Sequence, residues 1–365
     1  MVATVYLYSR SPIYSGAERM LLTLAQGIYS VSRNSKIHLT HSSSDFNVES
    51  EVSIYKNKIE PGLIKISAKP YFILIYFFSG LLKIFSSSVK KKDAILIFND
   101  IESLIIYWPL ALFNDSYFYL HDSHKTENIK ARLICKIISL LVSNILVITK
   151  SRLNILSSIG IKNLIYFPNC TLELKKEVVK MKGLRDVHCI CVAQITAWKR
   201  IDKVIDLFNS LAEFNGEKNW HLHICGRPNQ RDKEGLQIES GLIHLSSTDL
   251  RINYHGYVKD VDGMMGQCHL LLSMSENEPF GLALVEALQK GCYVLSAEGE
   301  GPSEIISSDL IGRIIPNNCD IESWVAVNSA AIFENIESFF NERVNSSDRY
   351  SFESYKTRIK TIWFD

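Results

Sequence analysis

Short runs of apolar residues recur along the whole chain, and segments with helical spacing of apolar residues separate them. Four runs precede residue 168 and five follow it: ATVYLY, AILIF, YFYL and NILVIT, then HCICVAQI, HLHIC, RINYHG, HLLLSM and CYVLSA. Strands that alternate with helices in this way form parallel sheets covered by helices on both faces. The pattern therefore predicts an α/β fold of doubly wound parallel sheets.

The two series of runs predict two domains. The length of 365 residues also favours two, because a domain usually holds about 100 to 150 residues. Pro168 and Asn169 are turn formers, and we place the boundary there, which gives an N-terminal domain of residues 1–167 and a C-terminal domain of residues 168–345. The polar break NSSDR (345–349) marks the start of the last segment, residues 346–365, in which SFESYKTRIKTIWF predicts an amphipathic helix that could pack back on the N-terminal domain.

Composition narrows the class of protein. A net charge of +1 with 47% hydrophobic and 22% charged residues is typical of a globular protein and does not favour binding to nucleic acid. The eight cysteines form no CxxC pair and suit a reducing compartment. The start MVATVYLYSR reads as a first strand and not as a signal peptide, so we expect a cytoplasmic protein.

One stretch differs from the rest, because Lys65–Lys92 holds six lysines and no acidic residue around YFILIYFFSGLLKIF. Its apolar part of about 15 residues, interrupted by Lys83, is too short for a transmembrane helix, which needs roughly 20. Two interpretations stay open. One is a buried helix before the strand AILIF, and the other is a basic amphipathic helix on an anionic membrane surface, peripheral to the membrane.

Ligands of open parallel sheets gather at the carboxyl ends of the strands, where the free amides of helix N-termini favour anions. After ATVYLY, Gly16 precedes a helix with Glu18 and Arg19 in its first turn, and a glycine there lets a phosphate approach the backbone. The alternative is an ordinary turn glycine.

The loop HDSHKTEN follows the strand YFYL and places His121 at the strand end, with Asp122 and His124 nearby. Three interpretations remain open for His121. It could belong to a metal site, although two histidines and one aspartate are few ligands for one. It could be a structural histidine, or it could line the ligand cleft and contact sugar hydroxyls near the reacting carbon.

Loops after the next strands supply further candidates. Gln194 finishes the strand predicted in HCICVAQI. Lys199 stands where the next helix begins and could bind a diphosphate as a point charge; the alternative is a solvated surface lysine. Gly226 follows HLHIC, and Tyr257 and Val258 follow RINYHG, so these loops could hold a nucleotide base.

The stretch SENEPFGLALVEALQKG carries two glutamates, with Glu278 in the loop and Glu286 inside the helix that follows. At about 100° and 1.5 Å per residue, Glu286 points to a different side from the loop and lies a few ångströms deeper. The two carboxylates can therefore bracket a ligand whose phosphates rest on the amides of residues 281–283. A hydrolase with paired acids is the alternative, and it needs both carboxylates at one point.

These motifs together resemble the retaining family 4 glycosyltransferases of the GT-B fold, whose mark is a Glu-x7-Glu pattern. Glu304 in GEGPSEII, Lys199, Gly16 and the turn YFPNC also fit that family. The residues that match the Glu-x7-Glu pattern in register are Ser275, Glu278, Phe280, Gly281, Leu282, Glu286, Ala287 and Gly291.

The resemblance implies a role for each candidate. Glu278 would contact hydroxyls of the donor sugar, residues 281–283 the sugar and diphosphate, Glu286 the ribose, and Lys199 the leaving phosphate. By this resemblance Lys199, Glu278 and His121 are the expected catalytic residues. The expected donor-binding residues are Gly16, Gln194, Lys199, Arg200, Gly226, Tyr257, Val258, Glu278, Phe280, Gly281, Leu282, Ala283 and Glu286.

Three positions depart from the family pattern. Gln194 replaces the usual arginine before Lys199, Ser15 the first of two glycines, and Cys170 the glycine after Asn169. Gln194 matters most because it removes one cation from the diphosphate, where a preorganised stabiliser is typically worth about 3 to 4 kcal/mol. Arg200 is a candidate to compensate for it.

The function expected from the resemblance is transfer of a sugar from a UDP- or GDP-sugar to a hydroxyl of a glycan or lipid-linked acceptor, in the synthesis of a polysaccharide such as lipopolysaccharide or O-antigen. No metal or cofactor is expected, since the DVD at 260–262 reads as a surface turn. A nucleotide-sugar 2-epimerase of the same architecture and a non-catalytic nucleotide-sugar-binding partner are the alternatives.

Overall fold

The structure is a computed structural model that describes residues 4–10, 16–41, 56–59, 94–121, 128–172, 185–338 and 340–365. The chain divides into two compact units. Unit 1 consists of residues 1–172 and 352–365, and unit 2 of residues 173–351. The whole stretch Lys65–Lys92 that suggested a membrane contact, together with Asp122 and His124, lies outside the described residues.

Unit 1 contains a seven-stranded sheet with the strand order β3-β2-β1-β4-β5-β6-β7, and each registered pair of strands is parallel. The strands are β1 Thr4–Tyr8, β2 Lys36–His41, β3 Lys56–Ile59, β4 Ala94–Phe98, β5 Asp115–Leu120, β6 Asn144–Val147 and β7 Leu164–Tyr166. The helices described between them are α1 Gly16–Val31, α2 Ile101–Ala111, α3 Ile129–Leu141 and α4 Lys150–Ser158.

Unit 2 contains a six-stranded parallel sheet with the order β10-β9-β8-β11-β12-β13. Its strands are β8 Asp186–Val192, β9 Asn219–Cys225, β10 Ile252–Gly256, β11 Leu270–Ser273, β12 Tyr293–Ala297 and β13 Gly312–Ile315. Its helices are α5 Ile201–Phe214, α6 Lys233–Thr248, α7 Val261–Met265, α8 Leu282–Gln289, α9 Glu300–Ile305, α10 Ile321–Ser338 and α11 Phe340–Ser346. The expected pair of doubly wound parallel sheets is therefore confirmed.

Side-chain capping sets where several helices begin. Asp100 accepts a hydrogen bond from the amide of Ser103 at the start of α2, and Thr149 and Asp232 do the same at the starts of α4 and α6. Each cap satisfies one of the amides that the first turn of a helix leaves unpaired. The strands enter the core as near-continuous apolar runs, as parallel strands covered on both faces do; all five residues of β4 are buried.

The last helix of the chain, α12 (Phe352–Trp363), belongs to unit 1. Its Tyr355 and Ile359 are fully buried, and it packs on α1 where Gly27 lies. A Cβ atom at Gly27 would stand 2.4 Å from Ile359 Cδ1, so the absence of a side chain there admits Ile359. Tyr355 also packs against Phe167, with 4.7 Å between ring centroids.

Five of the ten histidines lie on neighbouring strands of unit 2 or directly before one: His188 is on β8, His221 and His223 are on β9, His255 is on β10, and His269 precedes β11. His188 Nδ1 lies 3.1 Å from His223 Nε2, and His223 Nδ1 lies 3.0 Å from His255 Nε2. The corresponding ring centroids are 5.4 and 5.3 Å apart. Each centroid separation exceeds the N···N distance of the same pair by about two ring radii. The rings therefore meet edge to edge as a hydrogen-bonded chain, which we call the histidine chain.

Neutral imidazoles suit this arrangement, because each N···N contact holds one proton. Burial, with the neighbouring histidines as a second cause, lowers the pKa of His223 to about 4. Burial and the charge of His188 likewise lower the pKa of His269 to about 4, and His269 Nδ1 accepts the backbone amide of His188 at 3.0 Å.

We expect the protein to lose stability as the pH falls from about 6.5 to 4. The pKa of His223 is lower in the folded state than the value of about 6.5 in the unfolded chain, so the unfolded chain binds the proton first and the stabilisation present above pH 6.5 disappears through that window. One pKa unit corresponds to about 1.4 kcal/mol, and solvent exposure reduces the contribution of His223 to about 1 to 2 kcal/mol.

Urea unfolding at a series of pH values measures this loss. His223→Asn should be less stable than the wild type at pH 7.5 but should show a shallower decline toward pH 4. His244→Asn is the matched control, because His244 is exposed on α6, and it should follow the wild type. Equal slopes for the wild type and His223→Asn would refute the assignment.

Candidate functional site

The carboxyl ends of β8, β9 and β11 lead into the loops that hold Gln194, Gly226 and Glu278. Because β8 pairs in parallel with both β9 and β11, the three loops emerge at one edge of the sheet in unit 2. This is the edge at which parallel sheets bind ligands. The predicted residues of unit 2 are thus collected on one side of that unit.

An ion pair joins two of these loops. Lys199 Nζ lies 2.5 Å from Glu278 Oε2, and the two side chains are only 15% and 12% exposed. Lys199 Nζ also lies 3.9 Å from the ring centroid of Trp198, a distance at which an aromatic face attracts a cation. Lys199 is therefore not the solvated surface lysine of the alternative interpretation.

The residues beside this ion pair have an uncommon backbone conformation. Arg200, which follows Lys199, has φ of 48°, and Asn277, which precedes Glu278, has φ of 51°. Within the described part of the chain they are the only residues other than glycine with positive φ. Such conformations cost about 1 to 3 kcal/mol and concentrate at functional sites.

Contacts between the two loops hold these conformations in place. The amide of Glu276 donates to the carbonyl of Trp198 at 2.8 Å. The guanidinium of Arg200 pairs with Glu276 and Asp202, each at 3.0 Å. Arg200 is thus partly exposed beside Lys199 and adds a second cation to this edge of the sheet.

Helix α8 supplies backbone donors next to Glu278. Gly281 precedes the helix with φ of 93°, a conformation that glycine adopts without strain. The amide of Leu284 donates to the carbonyl of Gly281 at 3.0 Å. Among the described residues, the amides of Leu282 and Ala283 have no acceptor and are the unpaired donors of the first turn. These amides carry the positive end of the helix dipole.

Two glycines at the start of α9, Gly299 before the helix and Gly301 in its first turn, pack against the same loop. A Cβ atom at Gly301 would lie 1.9 Å from the carbonyl oxygen of Phe280, and one at Gly299 would lie 3.1 Å from the amide nitrogen of Glu278. The amide of Gly301 donates to the carbonyl of Glu278 at 3.3 Å. Backbone therefore packs directly on backbone here. Glu304 lies in α9, half-buried.

The two glutamates of the Glu-x7-Glu pattern have different surroundings. Glu278 faces Lys199, whereas Glu286 lies in the second turn of α8 and is 3% exposed. Phe280 lies between the two glutamates in the sequence and is buried. Its ring meets that of Tyr350 edge to face, with 5.4 Å between the ring centroids.

Gly226 and Tyr257 mark a second part of this edge. A Cβ atom at Gly226 would lie 1.7 Å from the carbonyl oxygen of Ala193, so only glycine fits beside the loop of Gln194. Arg227 stands over the ring of Tyr257 at 5.0 Å, and Tyr257 is 67% exposed. Gln194 is exposed and Val258 is half-buried.

Unit 1 holds its own polar cluster at the carboxyl ends of β4 and β5. His121 Nε2 lies 2.8 Å from Asn99 Oδ1, and burial lowers the pKa of His121 to about 3. Asp100 accepts the amides of Arg10 at 2.6 Å and Ser103 at 2.7 Å, and burial raises its pKa to about 6 despite those bonds. His121 is therefore neutral near pH 7.

Gly16 opens α1 in unit 1 and is exposed, and Glu18 in the same turn accepts a hydrogen bond from Ser9 at 3.3 Å.

Sequence reasoning missed four residues of the polar clusters in the two units, namely Asn99, Asp100, Trp198 and Glu276. The signal for the first pair was available, because the polar pair Asn-Asp follows the apolar run AILIF directly. In the described part of the chain, no three or more His, Cys, Asp or Glu side chains are arranged to hold a metal ion.

Comparison with known proteins gives a fold for the chain and a family match for part of it. Residues 178–337 match the family "Glycosyl transferases group 1". A curated relative, N-acetyl-alpha-D-glucosaminyl L-malate synthase of Bacillus anthracis, is 25% identical over 207 residues, which cover 55% of this chain. The matching region spans about half (51%) of that protein.

Two solved structures cover both units. Anabaena HepE in complex with UDP and glucose superimposes with a TM-score of 0.76 over 99% of each chain at 14% identity. The apo form of the lipopolysaccharide outer core galactosyltransferase WaaB gives a TM-score of 0.69 over 98% of each chain at 16% identity. These likenesses confirm the predicted two-domain architecture. The chain therefore has the GT-B fold, and residues 178–337 resemble the glycosyl transferases group 1 family.

Proposed function

We propose that this chain is a retaining, family 4 glycosyltransferase that moves a sugar from a nucleoside diphosphate sugar to a hydroxyl of a glycan or lipid-linked acceptor. A UDP-sugar is the preferred donor of the proposal, with a GDP-sugar as the alternative, because HepE binds UDP and has also been solved with UDP-glucose. The likeness to a lipopolysaccharide galactosyltransferase supports a role in polysaccharide synthesis. The eight free cysteines suit the cytoplasm, where we place the reaction.

The ion pair between Lys199 and Glu278 is the observation that carries this proposal. Two charges held mostly out of water are costly unless each has a partner, and here they pair with each other beside the unpaired amides of α8. A donor would supply both groups with new partners. Its diphosphate would pair with the ammonium of Lys199, and its sugar hydroxyls would donate hydrogen bonds to the carboxylate of Glu278.

The remaining residues of this edge suit the other parts of the donor. Gly226, Tyr257 and Val258 would surround the base, with the exposed face of Tyr257 available for stacking. Glu286 would accept hydrogen bonds from the ribose hydroxyls. Arg200 would add positive charge near the diphosphate, where Gln194 offers a hydrogen bond but no charge.

The proposed chemistry needs no enzymic nucleophile and no metal. As the bond to the diphosphate breaks, Lys199 and the dipole of α8 stabilise the negative charge that develops on the leaving phosphate. That phosphate accepts the proton of the acceptor hydroxyl, which attacks from the same face, so the anomeric configuration is retained. His121, neutral near pH 7, would hydrogen-bond sugar hydroxyls near the reacting carbon.

A non-catalytic partner that binds a nucleotide sugar is the second candidate, and Gln194 favours it. The side chain of Gln194 is exposed and brings no charge to the place where the family pattern has an arginine. Binding of UDP without turnover, across a panel of acceptors, would support that candidate over the enzyme.

We expect Lys199→Ala and Glu278→Ala to lower turnover about 10²- to 10³-fold, since each removes a preorganised group that contacts the donor. Turnover is measured as nucleotide release with UDP-, GDP- and ADP-sugars, after thermal shifts have identified the donor base. Lys199→Ala should also weaken the shift produced by the nucleotide alone, because the cation on its diphosphate is lost.

Lys203→Ala is the matched control. Lys203 lies one turn further along, on α5, and pairs with Asp206 at 3.0 Å in an exposed position, so its loss should leave turnover unchanged. Near wild-type turnover in both Lys199→Ala and Glu278→Ala would sink the proposal. Proton couplings of the product's anomeric centre distinguish retention from inversion.

We expect Gly301→Ala to damage the site and the fold together, since its methyl group would overlap the backbone of Phe280. Overpacking of this kind costs about 1 to 3 kcal/mol, and displacement of residues 278–280 should weaken nucleotide binding. Thermal unfolding with and without UDP measures both effects.

Gly241→Ala is the control, because Gly241 lies in α6 with open space at its Cβ position. This substitution should stabilise the protein by up to about 1 kcal/mol. An unchanged UDP affinity in Gly301→Ala would contradict this role of the glycine.

A further inference from the structure

Helix α3 of unit 1 is apolar on two opposite faces. Cys135 and Ile138 face the core and are 3% and 5% exposed. Side chains three or four positions apart lie on one side of a helix, and a second apolar row with that spacing faces outward. This row, which we call the outer stripe, consists of Ile129, Leu133, Ile137 and Leu140, with exposures of 80%, 57%, 48% and 79%.

Further exposed apolar side chains adjoin the outer stripe. Ile134, on the same helix, is 41% exposed. Ser116 at the start of β5 and Ser143 after α3 exchange two hydrogen bonds of 3.1 and 3.2 Å. They place the end of α3 near the turn before β5, where Leu112 and Phe113 are 51% and 72% exposed. Contiguous apolar surface of this kind marks an interaction site, whereas single exposed apolar residues are ordinary.

The charge on this surface is mostly positive. Helix α3 carries Lys130, Arg132 and Lys136, all exposed, and no acidic residue. Asn163 donates to the carbonyls of Ser139 and Val142 at 3.0 and 3.1 Å, which brings the exposed Lys162 beside the same end of the helix. One acidic residue, Asp115 at the start of β5, also lies near this end of α3.

We propose that the outer stripe of α3 docks unit 1 on an anionic lipid surface. An apolar row flanked by lysine and arginine is the pattern of a helix that lies in the plane of the membrane interface, with its apolar side chains among the acyl chains and its cations at the headgroups. The helix does not cross the bilayer: its 13 residues span about 20 Å, against roughly 30 Å of hydrocarbon. No helix in the described residues is long and apolar enough to do so.

Charge decides between a membrane and a second copy of the chain as the occupant. Two copies that met through their outer stripes would bring Lys130, Arg132 and Lys136 of each close to the same residues of the other, and like charges repel at such distances. Anionic headgroups neutralise the same residues. This inference does not rest on glycosyl transfer, so it is tested by binding alone.

The test is flotation of the purified protein with vesicles of phosphatidylcholine, with or without about one-third phosphatidylglycerol. We expect the wild type to float with the anionic vesicles at low salt. The triple variant Ile129→Ser, Leu133→Ser, Ile137→Ser should lose at least about tenfold in the bound-to-free ratio, because the apolar contact is removed. Lys130→Gln with Lys136→Gln should lose roughly fivefold per cation, and only on the anionic vesicles.

The control is Ile243→Ser with Leu250→Ser, which removes two exposed apolar residues of unit 2, 58% and 88% exposed in the wild type, and should float like the wild type. Thermal unfolding of the triple variant should match the wild type, since the replaced residues are outside the core. Flotation of the triple variant at the wild-type level overturns the proposal and points to attachment elsewhere, such as Lys65–Lys92. A wild type that does not float with the anionic vesicles overturns the proposal in favour of no interface. A dimer in light scattering that the triple variant converts to monomer overturns it in favour of a protein interface.

Discussion

Parallel pairing of the strands is the constraint on which both units depend. When neighbouring strands run in one direction, each must be followed by a return segment, and the ends of those segments fall on one edge of the sheet. Polar residues that would be costly inside the apolar layers are therefore gathered at that edge. In unit 2 the consequence is the meeting of Lys199 with Glu278, 79 positions apart in the chain; in unit 1 it is the meeting of His121 with Asn99.

The constraint also explains which features could be predicted. The sheets and the edge that carries the candidate residues follow from nine apolar runs, since each run indicates a buried parallel strand. Strands β2 and β13 were harder to see, because KIHLTH carries polar residues along its length and GRII has only four residues. Spacing also indicates that Glu278 and Lys199 share an edge, but not that their side chains touch, which depends on how two loops fold against each other.

Side chains on strands show the same limit. The histidines of β8, β9 and β10 interrupt apolar runs, and the sequence alone does not show that they share one face, because that depends on the register between strands. Helix α3 likewise reads as apolar on two sides, and only its packing shows that one side is covered by the core and the other is not. In both cases the missing information is the choice of neighbour, which is a property of the tertiary structure.

The packing of α12 in unit 1 bears on how the protein is made. The hydroxyl of Tyr355 lies 3.3 Å from the hydroxyl of Tyr119, 236 positions earlier, so unit 1 is assembled from residues 1–172 and 352–365, with unit 2 between them in the sequence. During synthesis the ribosome releases unit 2 before residues 352–365 emerge. Unit 1 must therefore wait, with the surface around Gly27 and Phe167 uncovered, until residues 352–365 have been translated, and loss of these residues would harm unit 1 rather than unit 2.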